Sequence, residues 1–266
     1  MPKLGIIGGS GLYSILGFVK LKEECVSTPY GDPSGSYLIA GPEDGSGPHV
    51  VFLPRHGAAH SIPPHKVNYR ANIWGMQSLG VERIIGVTAV GGIDPALSPG
   101  SILLPDQVMD FTQGARESTF YEGGDVVHID FTDPYCPEMR AVLIKAAQIE
   151  GLACTPEATY VCTNGPRLES RAEIEFFRRA GGHIVGMTGM PETALARELQ
   201  VCYAAVSVVT NFAAGVSAAG KLTTTEVVET MAKSTGAVMA LLKTSFSLMP
   251  QHRGCPCKDA LSGTRL

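Results

Sequence analysis

The chain has one tryptophan in 266 residues and no apolar run long enough to span a bilayer. It also lacks an excess of either charge. Lys and Arg number 21 against 25 Asp and Glu, a formal charge of −4, so nothing points to nucleic acid as a partner. The opening MPKLGIIGGSG runs straight into a strand and a glycine turn, without the apolar core and cleavage site of a signal peptide; a cytoplasmic protein is expected. The seven cysteines are scattered and form no CxxC pair, which leaves no familiar zinc motif; most are expected to be reduced and buried. Cys255-Pro256-Cys257 is the exception. It could close as a redox pair, but a reduced pair in a mobile tail is the expectation. GxGxxG, GxxxxGK[ST] and GxSxG are missing too, which removes the dinucleotide fingerprint, the P-loop and the nucleophile elbow. With no identifiable Cys/His pair either, a covalent nucleophile is not indicated.

What is present is alternation. Short apolar runs (KLGII, GSYLIA, HVVFLP, RIIGVTAVGGI, ATYVCT, HIVGM, CYAAVSVVTN) are separated by segments of helical period. Helices are predicted in VNYRANIWGMQSLG, in PEMRAVLIKAAQIEG with Pro137 at its start and Gly151 at its stop, in SRAEIEFFRRAGG and in PETALARELQ. A long C-terminal helix follows Thr223 or Thr224, with Val227, Met231, Val238 and Leu242 on one stripe. With no linker or repeat to divide the chain, this predicts a single-domain α/β fold with a mixed, largely parallel sheet covered by helices, over residues 1–248, and a tail over 249–266. Polar loops recur at the strand ends, where such folds bind ligands.

Those loops hold the candidate residues, each with an ordinary structural alternative. In GIIGGSG, backbone N–H groups and Ser10 suit an oxyanion, or the turn merely needs glycine. PRHGAAHSIPPHK holds Arg55 and His56, which suit a phosphate by a guanidinium fork and a neighbouring donor, or the loop is simply solvated. A metal on His56, His60 and His65 matches no familiar spacing, and Pro63-Pro64 keeps them off one helix. Thr188 in GMTGMPE could hold an anion before a helix or be an ordinary turn residue. Glu169 in NGPRLES could bind a ligand or merely complement a helix dipole. Asn211 closes the strand of SVVTNFAAG, where an amide is well placed to touch a ligand.

The ordered set GIIGGSG, PRHG…H…P…KVNYRANIW, TAVGG, GPRLESRAE, GMTGMPE and VTNFAAG, spread over the chain up to about Leu248, resembles the trimeric purine nucleoside phosphorylase and methylthioadenosine phosphorylase family. The resemblance implies attack of inorganic phosphate on the anomeric carbon of a purine nucleoside, releasing free base and ribose 1-phosphate. It matches Ser10, Arg55, His56, Ala89 and Thr188 to phosphate-binding positions and Met187 to a residue against the ribose. Asn211 and Glu169 match purine-binding positions, and His128 matches one that reaches into a neighbouring subunit's site. Asn211, Glu169 and His56 are the candidates for catalysis. The resemblance further implies a homotrimer or a dimer of trimers, with phosphate as co-substrate and no metal or organic cofactor.

Three positions bear on the base. The methylthioadenosine-specific pattern has Asp where this chain has Asn211, Asp where it has Ala213, and Ser where it has Glu169. An amide can donate to O6 or N7 of a 6-oxopurine and Glu169 can accept from its N1–H, whereas adenine N1 offers only a lone pair to that carboxylate. The expected activity is therefore a 6-oxopurine nucleoside phosphorylase acting on inosine or guanosine. At the sugar, Thr224 stands where relatives specific for inosine place a histidine, and Leu168 replaces a purine-stacking phenylalanine. The rival readings are a methylthioinosine or methylthioadenosine phosphorylase, a noncatalytic nucleoside sensor, and a metal-dependent hydrolase using the three histidines.

Overall fold

A computed structural model describes residues 3–9, 18–42, 49–217 and 224–265, with the side chains of Lys3 and Thr224 outside it. The strands are β1 (Lys3–Gly8), β2 (Val19–Glu24), β3 (Tyr37–Gly41), β4 (Val50–Pro54), β5 (Val81–Gly92), β6 (Ile102–Leu103), β7 (Gln107–Phe111), β8 (Cys154–Thr155), β9 (Thr159–Thr163), β10 (Ile184–Gly186) and β11 (Cys202–Phe212). The helices are α1 (Tyr69–Ser78), α2 (Pro137–Ile149), α3 (Arg171–Arg179), α4 (Gly189–Glu198) and α5 (Thr224–Leu248). Among the described residues all eleven strands join one mixed sheet, ordered β2-β3-β4-β1-β5-β10-β9-β7, with β11 branching from β5. β4, β1, β5 and β11 run parallel, so their carboxyl ends meet at one edge; β10 approaches that edge from the opposite direction.

The central strands are covered on both faces, which is why their sequences read as nearly unbroken apolar runs. One face carries Ile6, Ile85, Ala204 and Val206 against Met139 and Leu143 of α2 and Val238 and Leu242 of α5. The other carries Ile7, Ile84 and Tyr203 against Ile73 and Met76 of α1 and Leu195 of α4. Each such buried aliphatic side chain contributes roughly 1.5–3 kcal/mol by leaving water. Local chemistry sets the helix ends. Asn68 accepts from the Ala71 N–H before α1, Pro137 opens α2, and Ser170 and Glu173 form a reciprocal capping box at α3.

VKLKEE forms the exposed edge strand β2, held by antiparallel pairing with β3. One expectation is corrected here. The segment after Leu248 is not a mobile tail. Cys255 and Cys257 are buried with the α2 and α5 side chains, Arg253 donates to the Gln200 carbonyl, and the Gly254 N–H donates to Glu138. Two thiols at sequence positions that looked peripheral thus complete the core. No helix among the described residues is long and apolar enough to cross a membrane.

Candidate active site

Ala89 is the one exposed residue in the twelve-residue central strand β5. It faces a cavity of about 800 Å³ at the carboxyl edge of the parallel strands. The cavity gathers Arg55, His56, Ala89, Leu168, Glu169, Met187, Thr188, Asn211 and Ala213, nine of the residues expected from sequence. Ser10 lies outside the described residues, as does the side chain of Thr224. His128 does not line this cavity. It is exposed on the long connection between β7 and α2, its backbone N–H donating to the Thr264 carbonyl.

Arg55 leaves the end of β4 and is 2 % exposed. Its Nε donates to Glu192 Oε1 at 2.5 Å and its Nη2 to Glu192 Oε2 at 3.0 Å, while Nη1 donates to the Val87 carbonyl and Nη2 also to that of Ile7. Four of its five N–H groups are therefore committed, and among the described residues one Nη1 hydrogen is left for a ligand. Glu192 is held in turn by the Tyr203 hydroxyl at 2.7 Å. A Cβ on Gly86 would overlap that hydroxyl, so glycine in the middle of β5 makes room for the whole relay. Burial opposes the guanidinium's charge, but the Glu192 carboxylate outweighs it and holds the pKa above the ordinary arginine range.

His56 is half-buried, and its Nδ1 lies 2.8 Å from the Ile62 carbonyl. A carbonyl only accepts, so Nδ1 carries the proton and Nε2 of the neutral ring is an acceptor. Burial, then the neighbouring Arg55 cation, lower its pKa to about 4, against the opposing pull of the Ile62 carbonyl. The three histidines do not converge. The His56 and His60 rings lie tilted against each other with centroids 4.7 Å apart, and His65 lines a separate pocket with its buried Nδ1 unpartnered among the described residues. Thr188 precedes α4, is 7 % exposed and makes no side-chain cap to the helix.

Asn211 and Glu169 are positioned differently. The β11–β5 register slips between Val209 and Asn211, a bulge at Thr210 of the kind that re-aims a side chain. Asn211 Nδ2 donates to the Phe212 carbonyl at 2.9 Å and Oδ1 accepts from Thr210 Oγ1 at 2.9 Å, which fixes the orientation of the amide. One Nδ2 hydrogen is left over from these contacts. Glu169 Oε1 accepts from Thr163 Oγ1 at 2.6 Å. The α3 N-terminus is served by Ser170 and Glu173, so Glu169 is not needed there as a cap.

Sequence reasoning missed Glu192, Tyr203, Thr163 and the wall supplied by α5. Val227, Val228, Met231, Ala232 and Thr235 line the cavity. Val227 and Met231 were expected to join Val238 and Leu242 on a core stripe. Val238 and Leu242 are buried in the core and Met231 packs against it, while Val227 and Met231 also line the cavity.

The arrangement can hold an oxyanion beside Arg55 and Thr188, and a flat polar heterocycle between Asn211 and Glu169, with apolar walls between. Comparison with known proteins shows the family. The phosphorylase superfamily model matches residues 3–247. The chain is 52 % identical to a probable S-methyl-5'-thioinosine phosphorylase of Thermodesulfovibrio yellowstonii, over 97 % of this chain and 96 % of that one. It is 50 % identical to the 6-oxopurine nucleoside phosphorylase of Pyrococcus furiosus, over 99 % of both. The solved methylthioadenosine phosphorylase of Schistosoma mansoni in complex with adenine superposes with a TM-score of 0.92 at 32 % identity, covering 100 % of this chain and 99 % of that one.

Proposed function

The chain belongs to the phosphorylase superfamily, and from that premise we propose that it is a 6-oxopurine nucleoside phosphorylase, cleaving inosine or guanosine with inorganic phosphate to free base and ribose 1-phosphate. One observation carries the choice of base. An oriented amide, Asn211, and a carboxylate not used as a helix cap, Glu169, line the same cavity. The amide donates to N7 or O6 and the carboxylate accepts from N1–H. Adenine would leave both groups poorly matched, and a buried mismatch of that kind discriminates by orders of magnitude.

Phosphate takes the Arg55 end. The remaining Arg55 N–H and the Thr188 hydroxyl bind it, with Ala89 beside them and Ser10 as a further ligand. Neutral His56 accepts from the phosphate's own P–OH through Nε2 rather than donating to it. Phosphate is already a competent nucleophile, so placement rather than activation by a strong base is what the site supplies. Attack at the anomeric carbon forms the C–O bond as the glycosidic C–N bond breaks. The electron pair of that bond passes to the purine, and the Asn211 N–H stabilises the charge as it develops. No metal or organic cofactor enters this reaction.

The names of the two relatives at 52 % and 50 % identity differ over the sugar and share a 6-oxo base, since methylthioinosine is itself a 6-oxopurine nucleoside, whereas the methylthioadenosine phosphorylase that superposes is 32 % identical. Val227 and Met231 favour tolerance of a 5'-methylthio group, so that compound is the second substrate to test. The reading includes a cytoplasmic homotrimer, or a dimer of trimers, in which exposed His128 reaches a neighbour's cavity. Sedimentation of the purified protein tests the assembly. A base-release panel with inosine, guanosine, adenosine, methylthioinosine and methylthioadenosine, with and without phosphate, tests the activity. Phosphate-dependent release from the 6-oxo compounds is expected. Release without phosphate would make the protein a hydrolase, and binding without release a sensor.

A further inference from the structure

Four of the seven cysteines, drawn from three distant parts of the chain, converge. Cys136 caps α2, Cys202 opens β11, and Cys255 and Cys257 flank Pro256 near the end of the chain. All four are buried, and their Sγ atoms lie within 4.8 Å of one another. The Cys202 and Cys255 sulfurs are 3.3 Å apart. A disulfide requires about 2.05 Å. A tetrahedron of sulfurs around zinc, with Zn–S bonds of about 2.3 Å, has edges of roughly 3.8 Å.

We propose that Cys136, Cys202, Cys255 and Cys257 form a closed structural zinc site that clamps the C-terminal segment onto α2 and β11. Thiols are weak hydrogen-bonding groups, so they gain little by gathering in an apolar core for their own sake. A tetrahedral set of four sulfurs with no open position suits zinc in a structural role. On binding, each S–H gives its proton to solvent as a Zn–S bond forms: four protons leave, and the ZnS4 unit carries two negative charges. A counter-charge is in place. Arg83 pairs with Cys202 across the parallel β5–β11 register, which puts the two side chains on one face of the sheet. It is fully buried. Its Nη2 donates to Glu138 Oε1 at 3.1 Å, but Nε and Nη1 have no hydrogen-bond partner among the described residues. A buried guanidinium with unpaired N–H groups is costly beside neutral thiols and favourable beside thiolates. Glu138 also accepts from the Gly254 N–H at 2.7 Å, next to Cys255, and so ties Arg83 to the loop that brings in two of the ligands. The C-x-C spacing is tighter than the usual C-x2–4-C pair and the other ligands are distant in sequence, which is why no motif is visible. None of the four lines the cavity, so the ion stabilises the fold and takes no part in the reaction.

The test is metal analysis of the full-length protein purified anaerobically without chelator, with thiols counted under denaturing, non-reducing conditions. About one zinc per chain is expected, released as a mercurial titrates the site, together with seven countable thiols after release. Cobalt substitution should give the visible bands of a tetrahedral tetrathiolate. Cys255→Ser/Cys257→Ser should lose the metal and melt at lower temperature, whereas Cys25→Ser, at an exposed cysteine, should keep both properties of the parent. If the double variant does not fold, zinc content and the cobalt spectrum of the parent protein decide. Disulfides joining these cysteines, iron or copper in place of zinc, or a metal-free protein that takes up no zinc under reducing conditions would each overturn the proposal.

Discussion

The two ends of the cavity are built in opposite ways. At the end proposed for phosphate, Arg55 and Glu192 are 2 % and 0 % exposed and are locked by backbone carbonyls and Tyr203. At the end proposed for the nucleoside, Leu168 and Val228 are 53 % and 67 % exposed, and Asn211 and Glu169 are half-buried on a bulge and a loop. The Arg55 end is part of the sheet's core, where a change that unpairs the buried charges disturbs the fold. The nucleoside end rests on loops and the first turns of α5, where side chains can change at little cost in stability. A site divided in this way can keep one nucleophile while its choice of base and sugar varies.

The largest expected effects lie at the locked end. Arg55→Lys keeps a charge opposite Glu192 but loses the planar fork. It should still fold, with kcat/KM for phosphate lowered about 10²–10³-fold. Glu192→Ala strands a buried guanidinium and should lower stability by about 3–5 kcal/mol, read by urea denaturation. If Arg55→Lys instead turned over phosphate like the parent, the locked end would be structural only and the comparison would fail.

Asn211→Asp probes the adaptable end. The carboxylate cannot donate to N7 or O6, so loss of about 2–4 kcal/mol of transition-state stabilisation is expected for inosine. That corresponds to roughly thirty- to thousandfold in kcat/KM, with little change in melting temperature. A large stability loss would show that Asn211 holds the β11 bulge rather than the base. The sugar should matter less. Inosine and methylthioinosine are expected within about a hundredfold of each other in kcat/KM, since a methylthio group in an apolar pocket gains about 1–3 kcal/mol. A wider gap favouring methylthioinosine would transfer the substrate assignment to it.

The sheet and most of the cavity were legible because their signals are local. Apolar runs ending in glycine or polar loops marked β1, β5 and β11, and Arg55, Thr188 and Asn211 stand at the ends of such runs. What was not legible depended on long-range partners. Glu192 sits among helix-forming residues, and nothing in its neighbours shows that Arg55, 137 positions away, is opposite it. Val227 and Met231 share the periodicity of Val238 and Leu242, but periodicity gives a face, not what covers it. Cys255 and Cys257 looked peripheral because their burial is supplied by α2 and β11.

The smallest predicted effect concerns His56, which belongs to both ends: its ring lines the cavity while its Nδ1–H is tied to the Ile62 carbonyl. Burial and Arg55 lower its folded-state pKa from the ordinary 6.5 to about 4. Between those values the unfolded chain holds a proton that the folded chain does not. Stability should therefore rise with pH across that window and gain nothing further from this group above it. His56→Gln removes the titration, so its stability curve should be flatter between about pH 4 and 6.5. Saturating phosphate sharpens the test. If Nε2 accepts from the P–OH, the ring must stay neutral, and phosphate should not raise the His56 pKa measured by NMR. A phosphate-induced rise towards neutrality would mean that His56 donates as an imidazolium, which would reverse its assigned role while leaving the Arg55 relay intact.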